Sequence, residues 1–361
     1  MSQAETIISF SEAVRDGLHE SIAKDPKVFL LGEGIADPSS FWGTTAGVVE
    51  RFGADRVVEM PVAENGLIGV AIGSAIMGER PVVSLHRVEF SMLALEQIAN
   101  NAAKARYASN GQHHVPLVIR MVIGRGWGQG PAHAQSLESM YAMFPGLKVV
   151  MPAFARDAKG MVTAAILDED PVVVLEHRWL YDVSGPVPVG DFVSDITRPA
   201  VVRSGSDITL VATSYMTLEA VRAAEALAPV GCSVEVIDLR VLRPLVMDPI
   251  YSSLDKTGHM ITVDTGWVTL GMGAEVVSRV ATEHFDSLKA APVRIGLPDH
   301  PTPSSRGYYS GYYPSSVQII KRIGETLMLD PSHVNHAVEH ISNKRGDLPV
   351  DVPDPSFKGP F

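Results

Sequence analysis

Apolar residues recur along this chain in two alternating rhythms, one with helical spacing and one of short, β-rich runs. Residues 9–23 have helical spacing. Residues 28–31 form a short apolar run that ends in Gly32-Glu33-Gly34 and reads as a strand opening into a loop. Residues 37–43 are loop-like, 57–59 a second strand, 61–78 a helix and 81–85 a third strand. Residues 91–109 read as one helix with Leu95, Ile98 and Ala102 on a common face, and 115–123 as the strongest strand of the first half. A glycine-rich loop, Gly124 to Gly130, then opens into Ala132-His133-Ala134-Gln135 and a helix ending at Met143. Strand 148–151, helix 155–167 and strand 172–176 complete a pattern that predicts a parallel sheet covered on both faces.

Between residues 177 and 199 the periodicity fades and Pro186, Pro188 and Pro199 appear, the marks of a linker. The alternation then restarts, with strands at 208–212, 233–238, 260–264 and 293–296 and helices at 218–227, 247–256, 273–283 and 315–329. The fold class expected is α/β, two doubly wound domains in series. Their bounds are 1–182 and 201–332, with a linker at 183–200. Pro349, Pro353, Pro355 and Pro360 suggest an extended C-terminal tail over 333–361. A length of 361 residues suits two cores.

Charge and cysteine usage narrow the function. A net charge of -11 argues against nucleic acid or an anionic membrane as partner. One cysteine, Cys232, excludes an internal disulfide framework and a cysteine-based metal cluster, in keeping with a reducing compartment. The first ten residues show no secretory signal, and the longest near-apolar run, residues 66–78, is short of the ~18 residues a membrane span needs. A cytoplasmic protein is expected.

The candidate chemistry centres on residues 61–78. Glu64 heads a segment otherwise apolar or small, where an ionised carboxylate loses hydration and has no neighbouring cation in sequence to replace it. Such an acid tends to keep its proton near neutral pH; the plainer alternative is a first-turn cap that suits the helix dipole. Gly66, Gly69 and Gly73 share one side of the helix. Each costs about 1 kcal/mol relative to alanine, which makes sense if that side lies against another backbone at a subunit or sheet contact. His133, at a loop end and a helix head, is placed to be a neutral imidazole that relays a proton, or simply to cap the turn. The loop at 124–130 lacks both the Gly-x-Gly-x-x-Gly offset and Gly-Lys-Ser/Thr, so a phosphate cradle is weakly supported; close approach to a ligand with Trp127 packed over it fits as well. No HExxH, Gly-x-Ser-x-Gly or clustered Cys/His ligands occur, and Asp168-Glu169-Asp170 reads as an exposed acidic turn.

Taken together, several blocks resemble a family. They include Gly32-Glu33, Pro61-Val62-Ala63-Glu64-Asn65-Gly66, Arg80-Pro81-Val82-Val83, Phe90-Ser91-Met92, His133-Ala134-Gln135-Ser136, Pro145-Gly146-Leu147-Lys148-Val149-Val150 and Asp170-Pro171-Val172-Val173-Val174. In this order they resemble the β subunit of thiamine-diphosphate-dependent 2-oxo acid dehydrogenases, the E1 component whose pyruvate, branched-chain and acetoin versions share a subunit type. The likeness runs from about residue 7 to residue 329 and takes in Asp238-Leu239-Arg240 and Pro298-Asp299. It implies a pyrimidine-binding domain followed by a transketolase-like C-terminal domain.

By that resemblance Glu64 is the cofactor-activating acid. Its protonated carboxyl on N1′ of the aminopyrimidine favours the 4′-imino tautomer, whose nitrogen takes the C2 proton. Phe90 would pack on the pyrimidine, His86 would stand beside it, Glu33 would lie near the same cavity, and His133 would sit near the substrate carboxylate. Leu117, Ala165, Asp168 and Asp170 match a loop that holds a structural potassium ion in some members. The Gly-Asp-Gly and distant Asn that hold Mg²⁺ in this family are missing, Gly190-Asp191-Phe192 lacking the second glycine. The diphosphate and Mg²⁺ would then belong to a separate α subunit in an α₂β₂ heterotetramer, with an E2 lipoyl acyltransferase as possible acceptor. The implied activity is decarboxylation of a 2-oxo acid with acyl transfer to lipoamide. Alternatives are a split transketolase-like carboligase that needs no E2, and a degenerate subunit kept for assembly. His86, Arg125, Trp127 and Ala132 look unusual for the family, and His86 as proton donor with Arg125 as anion contact would suit a substrate other than pyruvate.

Overall fold

The computed structural model describes residues 4–37, 40–125, 128–348 and 352; Trp127 and the prolines from 349 onward lie outside the described residues. The first sheet runs from edge to edge as Val241–Arg243, Lys148–Val150, Val172–His177, Val118–Ile123, Arg80–Leu85, Val28–Gly32 and Val57–Glu59. All pairs are parallel except the first, which is antiparallel. Val118–Ile123 and Val172–His177 are buried along their whole length, as strands covered on both faces must be.

One cover is the helix pair Phe10–Lys24 and Ala155–Leu167, packed so closely that a side chain at Gly17 would meet the Lys159 carbonyl at 3.1 Å. Ser9 starts the first of these helices with a capping box closed by Glu12. The other cover is the helix Glu64–Ile76, with residues 90–102 beside it. Inside the sheet Arg120 and Glu176 form a fully buried bidentate pair at 2.7 and 2.9 Å, and Ser84, Thr44 and Tyr181 take up their remaining hydrogen-bonding capacity.

The second sheet, in the order Val293–Leu297, Met260–Trp267, Ile208–Ala212, Val234–Asp238 and Ala200–Arg203, is parallel apart from its last, antiparallel edge strand. Expected and observed elements agree closely in both halves, but four expectations are corrected. Residues 91–109 are a broken succession, 3-10 over Phe90–Ala94, π over Gln97–Ala102 and α only over Ala105–Ala108. The segment after the glycine loop is a 3-10 turn at Gly130–Ala132, and its helix starts only at Glu138. The presumed linker contains the strand Ser184–Pro188, paired antiparallel with Glu5–Ser9. The tail begins as a helix, Pro331–Arg345, capped by Asp330 and packed on Ser316–Leu327, instead of an extended arm.

The halves are joined by polar contacts. Arg240 bonds both Asp157 and Asp238, Arg243 donates to the Ala142 carbonyl at 3.0 Å, and Thr265 donates to Glu138 at 3.3 Å.

Candidate active site

Parallel strands carry their ligand sites at the carboxyl ends, where connecting loops diverge. Here those ends deliver Glu33 just after Val28–Gly32, Glu59 at the end of Val57–Glu59, His86 just after Arg80–Leu85 and the glycine loop just after Val118–Ile123. The helix Glu64–Ile76 starts at the same edge. Glu64, its first residue, is 4% exposed, and the N-cap position before it, Ala63, makes no side-chain cap hydrogen bond. Two acids buried this close together, Glu64 and Glu33, suit a site whose ligand engages one of them.

Glu33 is 6% exposed, and its Oε1 has no hydrogen-bond partner. Burial pushes its carboxyl above the ordinary 4.5, and the charges of Glu64 and Glu59 add to this, against the Ala63 amide. Glu33 thus has a raised proton affinity, with Glu64 as its acidic neighbour. Glu59 is held differently, accepting hydrogen bonds from the amides of Gly34 and Ala36.

His86 is lowered by burial and by Arg87, against the pull of Glu59, which favours a neutral ring. It stands edge-on to Trp42 at 6.5 Å. Phe90 and His133 meet edge-to-face at 5.2 Å, so the two residues expected at the pyrimidine and at the substrate are neighbours. His133 follows a short 3-10 turn and does not head a helix; the dipole argument for a neutral imidazole therefore fails.

Arg125 is corrected as well. It is 1% exposed, and its guanidinium lies over Tyr309 at 3.6 Å, Tyr313 at 4.5 Å and Trp179 at 5.3 Å. A cation enclosed by rings contributed by both halves joins the domains, a role that the expectation of an anion contact did not include. Beneath the loop lies His177, which burial pushes down to about 3. Gly124 has a φ of +75°, and a side chain there would meet the His177 ring at 2.2 Å, so this turn requires glycine.

The oxygens expected to hold potassium already accept hydrogen bonds. The Leu117 carbonyl accepts from Val172, that of Ala165 from Asp168, and those of Ile166 and Asp168 from Arg80 at 3.0 Å. The carboxylates of Asp168 and Asp170 pair with Lys148 and Arg106. Among the described residues no group of three or more His, Cys, Asp or Glu could hold a metal ion, and Asp191 pairs with Lys24 at the surface. Sequence reasoning passed over Trp42, Arg87 and Glu89. The one signal for Glu89 was an acid set between the apolar Val88 and Phe90.

Comparison with known proteins bears on this geometry. The family described as Transketolase, pyrimidine binding domain, matches residues 7–183, and Transketolase, C-terminal domain, matches residues 199–319. The pyruvate dehydrogenase E1 component subunit beta of Rhizobium meliloti (strain 1021) is 38% identical over 313 residues, covering 86% of this chain and 68% of its own. Its mitochondrial counterpart in Caenorhabditis elegans is 37% identical, covering 90% and 94%. Among solved structures, a split gene transketolase described as an inactive beta4 tetramer superposes with a TM-score of 0.71 over 89% of this chain and 99% of its own, at 24% identity, a likeness of fold.

Proposed function

This chain belongs to the family of pyruvate dehydrogenase E1 component β subunits, built on transketolase pyrimidine-binding and C-terminal domains, and from that premise we infer that it is the β subunit of a thiamine-diphosphate-dependent 2-oxo acid dehydrogenase. The observation that carries the reading is Glu64, a carboxyl buried beside Glu33 at the carboxyl edge of the sheet. The residues fit the pyrimidine end of the cofactor. Glu64 would bond the ring nitrogen, Phe90 would pack on the ring face, and His86 and Glu33 would border it. When bound, thiamine diphosphate supplies the nucleophilic carbon and the electron sink that decarboxylation of a 2-oxo acid requires.

The chain's own residues hold and move protons around that group. Glu64, buried at the head of its helix, would hydrogen-bond the ring nitrogen where little water reaches. Glu33, with its raised proton affinity, is suited to pass a proton to or from the same cavity. His133, edge-on to Phe90, is placed to contact the substrate end.

The partner reading has its own support. Side chains added at Gly66 or Gly73 would meet nothing within 4 Å, and at Gly69 only Gln97. The glycine side of the helix thus faces outward, beside exposed Val62, Val70, Ile76, Met77 and Leu93. Among the described residues no other element of this chain is the close neighbour that three glycines anticipate. A separate α subunit carrying the diphosphate and Mg²⁺, in an α₂β₂ heterotetramer, would be that neighbour. Transfer of the acyl group to an E2 lipoyl protein completes the reading; the carboligase alternative rests on a fold likeness alone.

A structural potassium ion would have to share oxygens that Val172, Asp168 and Arg80 already engage, and exchange of K⁺ for Na⁺ followed by thermal unfolding tests for it. A cytoplasmic setting is supported by the buried, reduced Cys232; the worm relative is named mitochondrial and the Rhizobium protein is not. Among the described residues no helix is long and apolar enough to cross a membrane.

The deciding experiment is reconstitution with the α chain, Mg²⁺ and thiamine diphosphate, assaying several 2-oxo acids with a dye acceptor and then with a lipoyl domain. Glu64→Gln should abolish turnover while leaving assembly intact. An equally active Glu64→Gln complex would remove the reading.

A further inference from the structure

The short segment from Arg87 to Phe90 reaches the histidine loop at several points. Arg87 donates to the Gly124 carbonyl at 2.8 Å and to the Gln129 side chain, where the loop begins and turns. Glu89 accepts from the Gln135 amide at 2.6 Å, where the loop ends, and Gly124 N–H donates to the Gln135 carbonyl at 2.8 Å to close its neck. Phe90 touches the His133 ring.

Glu89 is 6% exposed, and its second carboxylate oxygen, Oε2, is buried with no hydrogen-bond partner among the described residues. An anionic oxygen left this way is costly unless a charge or a proton arrives to meet it. The ionisable groups whose fields reach it are Arg87 on its own segment, His133 on the loop, and Tyr141 on the helix Glu138–Ala142. Burial pushes the Glu89 carboxyl above the ordinary 4.5, and the Gln135 amide, Arg87 and His133 pull the other way, towards its ionised form. The Tyr141 hydroxyl is turned to Ser91 and pushed up to about 12, so it stays neutral.

We propose that Glu89 is a positioning residue for His133, one oxygen anchoring the backbone two residues beyond the histidine and the other standing by the imidazole as counter-charge when that ring takes up a proton. Arg87 keeps the carboxylate from acting as an isolated charge and fixes the other end of the same loop. The role rests on the reading of His133 as an active-site residue. It extends that reading by one group, and the proton gained by the imidazole comes from solvent or substrate and leaves the same way.

The test uses the reconstituted α₂β₂ holoenzyme with a 2-oxo acid and a dye acceptor, measuring kcat and KM against pH for Glu89→Gln, Glu89→Asp and Glu89→Ala. Glutamine keeps an acceptor for the Gln135 amide and removes only the charge. It should lower kcat on the order of tenfold to a hundredfold, leave KM within about twofold, and move the acidic limb of the kcat profile to lower pH by about half a unit or more. Alanine removes the anchor too and should also raise KM. Aspartate keeps the charge on a shorter arm and should leave the limb in place while KM rises. A Glu89→Gln profile superimposable on the parent's would overturn the proposal. If that variant fails to assemble, a shifted limb in Glu89→Asp overturns it and an unshifted one supports it. A Glu64→Gln control separates the two readings: if it is inactive while Glu89→Gln behaves as the parent, only the role of Glu89 is lost.

Discussion

Replacing Gly66 and Gly73 by alanine should push the free chain and the assembled enzyme in opposite directions. Both lie on the outward side of Glu64–Ile76, seven residues apart and so almost in line along the helix. Neither has a positive φ, and a methyl group at either meets nothing within 4 Å. In the chain expressed without its partner, each substitution therefore gains helix propensity with no steric cost, about 1 kcal/mol apiece. Together that is about 2 kcal/mol, which for a domain of this size raises the midpoint of thermal unfolding by a few degrees. If the same surface meets another backbone in the complex, two inserted methyls overpack it, at about 1–3 kcal/mol each. Association with the α chain would then weaken roughly tenfold or more. Differential scanning calorimetry of the free chain and mass photometry of the mixture read the two effects. Equal or tighter assembly of the double variant would refute the argument, and a destabilised free chain would show that the glycine side is covered from within.

Three further outcomes follow from buried charge. Asp264 sits wholly buried at the junction, where burial raises it to about 7 despite the Gly273 amide at 2.8 Å, and nearby Glu138 adds to the rise. A carboxyl whose folded value exceeds its unfolded one contributes stability at low pH that is lost as pH climbs from about 4 through about 7; Asp264→Asn should flatten that slope in urea unfolding across the window. Glu33 is also raised, so Glu33→Gln should stabilise the fold above pH 4.5 relative to the parent while impairing turnover, as paired melting and activity measurements would reveal. Arg120→Met leaves Glu176 charged and unpaired in the sheet and should cost about 3–5 kcal/mol by denaturant titration; Arg120→Met with Glu176→Gln should recover part of it.

Much of this was legible in the chain because strands buried on both faces are continuous apolar runs. Val57–Glu59, Ala155–Leu167 and Ile208–Ala212 fall where periodicity places them. What escaped is non-local. Ser184–Pro188 is half-exposed and proline-bounded, and only its pairing with Glu5–Ser9, far off in sequence, makes it a strand. Residues 91–109 keep a helical apolar spacing, and that spacing alone does not distinguish α from the 3-10 and π turns that accommodate the packing around Tyr141 and Leu147. Residue type and family likeness are what propose Glu64, Glu33 and Phe90 for the site. Arg125 misled because a cation in a glycine loop suggests an anion, whereas its tyrosine neighbours lie more than 180 residues away. Glu89 was passed over because its partner, the Gln135 amide, is a backbone group and carries no sequence signal.

The strand Val241–Arg243 belongs by sequence to the second half and by hydrogen bonding to the first, where it covers the edge at Lys148–Val150. A chain severed at its proline-rich middle would leave that edge with open backbone donors and acceptors, a template for pairing with other molecules. During synthesis the amino-terminal sheet, complete at His177, must wait uncapped until Val241–Arg243 has emerged, so the period of greatest risk of aggregation falls between translation of the two halves.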